Sequence, residues 1–148
     1  MIYISHRGNI NGKNPESENN PTYISKALME GYDVEIDFWL IDGKMMLGHD
    51  EPQYGISRRF LINPFMWLHA KNQEAFELIV ENNLRGFWHT TEDFVLTTKG
   101  HIWTYPGNSL LKNSIAVLPE TVDYSIEDLK ICVAICSDNI ERYKELCN

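Results

Sequence analysis

The chain has 148 residues, 43% of them hydrophobic and 23% charged, with a formal net charge of -8. That length suits one domain with a real core, and the acidity argues against a general nucleic-acid binder, which needs a basic stripe against phosphates. No apolar run approaches the ~20 residues that cross a bilayer, and Met1 to His6 lacks the basic and apolar regions of a signal peptide, so the expectation is one cytoplasmic domain, 1–148, with no membrane span.

In chain order, Ile2 to Ser5 reads as a short strand that stops at His6-Arg7-Gly8-Asn9. A long polar segment follows to Pro21, and Thr22 to Glu30 then has the helical stripe Ile24, Ala27, Leu28 with Gly31 as its stop. Asp33 to Ile41 is a strand, Asp42-Gly43 a hairpin turn, and Lys44 to Leu47 the returning arm before Gly48-His49-Asp50. Glu51 to Asn63 carries no clear helix. Phe65 to Ala70 is a strand that places Trp67, His69 and Lys71 on one side. Asn72 to Asn83 is a helix buried through Ala75, Phe76, Ile79 and Val80, with Asn72 as its cap. Gly86 to His89 is a short strand, and Phe94 to Thr98 with His101 to Tyr105 form a hairpin. Ser114 to Leu118 is a strand closed by Pro119-Glu120, Ser125 to Lys130 a short helix, Ile131 to Cys136 a buried strand, and Asn139 to Leu146 a helix capped by Ser137 or Asp138. Cys132, Cys136 and Cys147 are odd in number and lack C-x-x-C spacing, so they read as reduced thiols.

This alternation predicts a mostly parallel sheet with helices. Polar groups fall where strands end: His6 and Arg7, Glu35 and Asp37, His69 and Lys71, His89, Glu120, Asp138. On a strand Glu35 and Asp37 share one face. Two buried carboxylates so close call for a cation or a proton between them, whereas an exposed acidic edge strand would need neither. Trp67, Trp88, Trp103 and Tyr105 read mainly as core, with Trp103 to Gly107 ending a strand on the same face as the polar groups.

His6-Arg7-Gly8, Glu18-Asn19, Asp33-Val34-Glu35-Ile36-Asp37, Asp42-Gly43 and Gly48-His49-Asp50 occur in an order and spacing that resembles the glycerophosphodiester phosphodiesterase family, among the phosphatidylinositol phospholipase C-like phosphodiesterases. Ile135 to Asn139 is similar to that family's last strand. The resemblance implies a TIM-barrel-derived fold and metal-dependent hydrolysis of a small phosphodiester. It makes His6 and His49 the general acid-base pair, Glu35 and Asp37 ligands of a divalent cation (Mg²⁺, Ca²⁺ or Mn²⁺), and Arg7 and Lys71 the phosphate contacts.

Two departures stand out. Family members carry E-x-K where this chain has His69-Ala70-Lys71. His69 is thus a candidate ligand that favours softer ions such as Mn²⁺ or Zn²⁺, and Glu120 is a candidate to restore the lost carboxylate. A full barrel runs to ~250 residues, so the expected fold is a reduced TIM-barrel-like α/β domain of about seven strands with several helices missing and a sheet edge that a second copy could cover as a homodimer. His89, Trp103 and Tyr105 are expected to border the substrate pocket. The alternative function is an inactive module that binds a phosphorylated ligand on the same face.

Overall fold

The computed structural model describes residues 1–148. Its elements are β1 (Ile2–His6), α1 (Pro21–Met29), β2 (Asp33–Ile41), β3 (Lys44–Leu47), β4 (Tyr54–Gly55), α2 (Arg58–Leu61), β5 (Met66–Ala70), α3 (Gln73–Glu81), β6 (Gly86–Trp88), β7 (Phe94–Leu96), β8 (Ile102–Thr104), β9 (Ser114–Val117), a 3-10 turn (Pro119–Thr121), α4 (Ile126–Ile131), β10 (Ala134–Ser137) and α5 (Ile140–Cys147). No helix is long and apolar enough to cross a membrane, and all three cysteines are free.

The architecture is mixed α/β. Seven strands run parallel in the lateral order β6, β5, β2, β1, β10, β9, β8, so neighbours in the sheet are neighbours in the parallel series, with the last strand beside the first. Three further strands are antiparallel: β3 and β4 extend the far half of β2, and β7 flanks β8. The sheet is curled. Its two ends meet where Thr98 N donates to Gly86 O at 2.9 Å and Gly86 N donates to Thr98 Oγ1 at 3.0 Å.

Curling separates two faces, and period-two alternation sorts residues between them. The outward residues Val34, Ile36 and Phe38 of β2 with Met66, Leu68 and Ala70 of β5 pack under the helices together with Ile24, Ala27, Ala75, Ile79 and Ile140. The inward residues Ile4, Trp67, Phe87, Trp103, Ile115, Val117, Ala134 and Cys136 form a separate cluster inside the curl, where Phe87 stacks on Trp103 with ring centroids 4.3 Å apart. One end of this inner core is plugged by Asp33, which accepts from Trp67 Nε1 at 2.9 Å and from Arg85 Nη1 at 3.0 Å. The polar groups sit at the other end, beyond the C-terminal ends of the parallel strands.

The helices follow their local signals. Asn20 caps α1 through Thr22 N, Asn72 caps α3 through Ala75 N, and Ser125 with Asp128 forms a capping box on α4. Several sequence expectations change. The sheet has ten strands, seven of them parallel, where about seven are expected; Val80 is exposed on α3 rather than buried, and Ile131 ends α4 instead of opening the last strand. Within Glu51 to Asn63 the chain forms β4 and one turn of helix, α2, started by Ser57. The last helix is capped neither by Ser137 nor by Asp138: its N-cap position is Asn139, without a side-chain cap bond. For Asp138 the reason is competition, since its carboxylate is taken by His6 and Asn9, whereas Ser137 Oγ accepts from Asn139 N, ahead of the helix, while it donates to Glu120.

Candidate active site

β1 is followed by two residues with left-handed backbone, Arg7 (φ 54°) and Gly8 (φ 95°). The turn swings the chain away from the sheet, and a side chain at 8 would collide with the Tyr23 ring at 2.7 Å. His6, the last residue of the strand, therefore faces inward over the core. Its Nδ1 lies 2.7 Å from Asp138 Oδ1 at the end of β10, and its Nε2 is 3.9 Å from Glu35 Oε2. Asn9 Nδ2 reaches both Asp138 Oδ1 at 2.8 Å and Glu18 Oε1 at 2.9 Å, which fixes Asp138 in turn.

Asp37 is fully buried and heavily partnered. Asn19, itself in a left-handed conformation (φ 61°), clasps it twice: Asn19 Nδ2 donates to Asp37 Oδ2 at 2.8 Å, and Asp37 N donates to Asn19 Oδ1 at 2.9 Å. Arg7 Nε stands 2.8 Å from the same Oδ2, and Lys71 Nζ is 3.5 Å from Oδ1. Burial alone would raise the Asp37 pKa, but contact with His69 and the charges of Arg7 and Lys71 outweigh it and hold the carboxyl well below its ordinary value. Glu35 has no such retinue. Burial and the neighbouring Asp37 charge push its pKa up.

His69 Nδ1 lies 3.1 Å from Asp37 Oδ1 and 3.8 Å from Glu35 Oε1, with its ring stacked on Phe87. Glu35, Asp37 and His69 each offer one donor atom, and these lie within 4.8 Å of one another. The group fits a cation on a second count. Glu35 Oε2, Asp37 Oδ1 and His69 Nε2 are buried without hydrogen-bond partners, and orphaned buried polar atoms are costly unless something satisfies them.

Glu35 and His69 line one cleft of about 440 Å³ with His6, Arg7, Lys13, His49, Lys71, His89, Tyr105 and Asp138, floored by Phe87 and Trp103, while Asp37 is buried beneath its surface. His49 stands at the rim, half exposed, its Nδ1 2.7 Å from Asp50 Oδ1. Gly48 sets its place: Gly48 N donates to Asp37 O at 3.1 Å, and Gly48 O accepts from Trp39 Nε1. A Cβ at 48 would lie 1.9 Å from Glu51 O, in a backbone with φ 152°. Gly48→Ala is therefore expected to destabilise the fold by about 2–4 kcal/mol and to shift His49. Thermal unfolding checks the first effect, and a native-like melting curve would count against the strained turn.

His6, Glu35, Asp37, His49, His69 and Lys71 thus converge, and Tyr105 and His89 stack face to face at the rim with ring centroids 3.9 Å apart. Three expectations take a different form. Arg7 is 13% exposed at its side chain and spends its guanidinium on Asp37 and Glu18, whose Oε2 accepts from Nη1 at 3.1 Å, so its first role is to neutralise the acidic cluster. Trp103 is buried core that only floors the cleft. Glu120 lies outside the cation group, because its two oxygens accept from Ser137 Oγ at 2.9 Å and Asp138 N at 2.8 Å. Sequence reading left Asn9, Asn19 and Glu18 without roles. Asn19 between a polar loop and a helix cap carried a weak signal, as a residue type that tolerates left-handed backbone.

Burial opposes a charged His6, but the hydrogen bond to Asp138 and the charge of Glu35 prevail and raise its pKa above the ordinary imidazole value. His89 moves the opposite way, lowered first by burial and then by His69. Comparison with protein-family models, with curated proteins and with solved structures finds no match to the chain.

Proposed function

We propose that the cleft cleaves small phosphodiesters of the glycerophosphodiester kind with the help of a divalent cation, on a reduced TIM-type barrel related to the glycerophosphodiester phosphodiesterases. The observation that carries this reading is that two carboxylate-anchored histidines, His6 on Asp138 and His49 on Asp50, line the same cleft as Glu35 and His69, whose donor atoms lie within 4.8 Å of each other and of the buried Asp37 carboxylate. A phosphodiester needs its oxygens neutralised, its attacking group deprotonated and its leaving oxygen protonated. A cation bound by Glu35, Asp37 and His69 supplies the first of these.

The chain's own residues supply the rest. His6, with its raised pKa and its Nδ1 held by Asp138, donates from Nε2 to the leaving oxygen. His49 takes the proton of the attacking group, water or a hydroxyl of the substrate, at the open rim. Lys71 adds a fixed positive charge at the cleft wall for the phosphate. Arg7 keeps Asp37 ionised and in place.

The expected result is cation-dependent hydrolysis of glycerophosphocholine or bis-p-nitrophenyl phosphate that falls about 10²–10⁴-fold in His6→Ala and in His49→Ala. An inactive phosphate-binding module is the second reading, favoured by the commitment of the Arg7 guanidinium to Asp37 and Glu18. Binding of a phosphodiester without turnover under Mg²⁺, Ca²⁺, Mn²⁺ and Zn²⁺ alike would establish that reading and sink the first.

A further inference from the structure

The end of the sheet opposite the cleft has a pattern of its own. Because seven strands run parallel, the segments that lead into them gather at one end. Hydrogen bonds tie these segments into a rim: Val34 N donates to Phe65 O, Ile2 N to Val133 O and Ile102 N to Asn113 O, at 2.9 to 3.0 Å. Large apolar side chains stand out from it before four of the strands. They are Met29 before β2, Ile62 and Phe65 before β5, Leu111 before β9 and Ile131 before β10, each between 49% and 84% exposed. One such side chain needs no explanation. Their recurrence at a single end does, since each leaves apolar area in water.

The same segments are cationic. Arg58 donates to Asn82, and Lys99 Nζ donates to Asn83 O at 2.7 Å; Lys112 follows Leu111, and Lys130 precedes Ile131. The ion pairs of the lysines and arginines are those of Arg7, Lys26, Lys71 and Arg85, so these four charges meet no carboxylate. Nearby acids are few: Glu30, which Lys26 meets at 3.9 Å, Asp33, which Arg85 holds at 3.0 Å, and Glu81 and Glu145 in the last turns of α3 and α5. The cleft end carries Glu16, Asp50, Glu51, Glu92, Asp93 and Asp123 besides the carboxylates of the site, so the excess negative charge of the chain belongs there. A pocket of about 210 Å³ opens at the rim, where apolar Leu61, Met66, Leu68 and Leu84 share the wall with Arg85 and Lys99.

We infer that this end is a docking face for an anionic lipid surface, on which the chain sits with its cleft turned to the water. Apolar side chains beside lysines and arginines suit the boundary of a bilayer, the first entering between headgroups and the second meeting lipid phosphates. A nucleic acid would answer the cations but not the five apolar side chains, and an apolar protein groove the reverse. The acids of the cleft end stand a strand's length away, ~16 Å for five residues, beyond the ~8 Å over which charges act at physiological salt. They therefore do not cancel the attraction. This inference goes beyond the proposed function and does not depend on it.

The test is sedimentation of the whole chain with vesicles of phosphatidylcholine mixed with phosphatidylglycerol, and with vesicles of phosphatidylcholine alone. Binding about tenfold or more stronger to the mixed vesicles is expected, weakened by salt. Lys112→Glu combined with Lys130→Glu is expected to lower it at least about tenfold, and Phe65→Ser to lower it severalfold, with melting curves like that of the unmodified chain. Lys44→Glu makes the same kind of charge change on the β2–β3 hairpin, away from the rim, and leaves binding unaltered. In Phe65→Trp, phospholipids brominated on their acyl chains quench more fluorescence than in the unmodified chain. Equal binding to both kinds of vesicle, an equal loss in Lys44→Glu, or binding to duplex DNA with none to the mixed vesicles would overturn the face. Vesicle binding requires no turnover, so docking and phosphodiesterase activity fail separately.

Discussion

Asp138→Asn is expected to lower phosphodiester turnover by about 10²–10⁴-fold while the chain stays folded. Asp138 touches no substrate. It holds His6 Nδ1 at 2.7 Å, which fixes the tautomer and directs Nε2 into the cleft. An amide in its place can turn its NH₂ toward Nδ1 and stabilise the wrong tautomer, and it removes the charge that helps to keep His6 protonated. The pH profile separates this positioning role from simple damage. His6 works as an acid, so activity is present below its pKa and lost as pH rises through it. In the metal-free chain the Asp138 hydrogen bond and the Glu35 charge raise the His6 pKa against burial, and the Asp138 part of that rise remains when Glu35 holds a cation. In Asp138→Asn the limb moves to lower pH. A variant with reduced rate and an unmoved limb would show that Asp138 acts through something other than His6.

Arg7→Ala is expected to destabilise the protein by about 3–5 kcal/mol, the cost of leaving a buried carboxylate without its partner, and so to lower Tm by on the order of 10 °C. Arg7 Nε is 2.8 Å from Asp37 Oδ2, the Asp37 side chain is fully buried, and Lys71 at 3.5 Å is the only other permanent cation in contact with it. The loss also has a pH signature. The Asp37 pKa is held below its unfolded value, so its stabilising contribution is fully present above the unfolded carboxyl pKa of ~4 and is lost as pH falls toward the folded value. Without Arg7 the folded pKa rises and that contribution shrinks. Arg7→Ala should therefore lose less stability than the unmodified protein when both are taken from pH 7 to pH 3, as thermal unfolding at the two pH values would measure. Unchanged stability at pH 7, with only substrate affinity reduced, would return Arg7 to a phosphate-contact role.

These two residues mark how far the sequence carries. Period-two alternation predicts that Glu35 and Asp37 face the same way, and they do, together with His69 and Lys71 on the adjacent strand at the register Asp37 to His69. The three long helices, most strands and the Asp42-Gly43 hairpin follow from local stop, cap and turn signals, because each is decided by residues within a few positions of one another. The α/β class follows as well, since strand and helix periods alternate along the chain.

What the chain could not show on its own is which group answers which across long separations. Arg7 and Lys71 look alike as cations near strand ends and both reach Asp37 from the cleft, yet Arg7 bridges Asp37 and Glu18 at close range while Lys71 stands off at 3.5 Å from Asp37 alone. Glu120 and Asp138 both follow inward strands, yet Glu120 bonds to Ser137 and Asp138 N, while Asp138 reaches back 132 positions to His6. Closure of the sheet at Thr98 and Gly86 brings β6 and β8 together and with them the Phe87 and Trp103 floor, and the stacked His89 and Tyr105 of the rim. Sequence determines the face on which each donor stands, because strand geometry is local. Only the tertiary structure decides which donors share a carboxylate and which are left to hold a ligand, because that depends on how the sheet curls and on where burial leaves polar atoms unsatisfied.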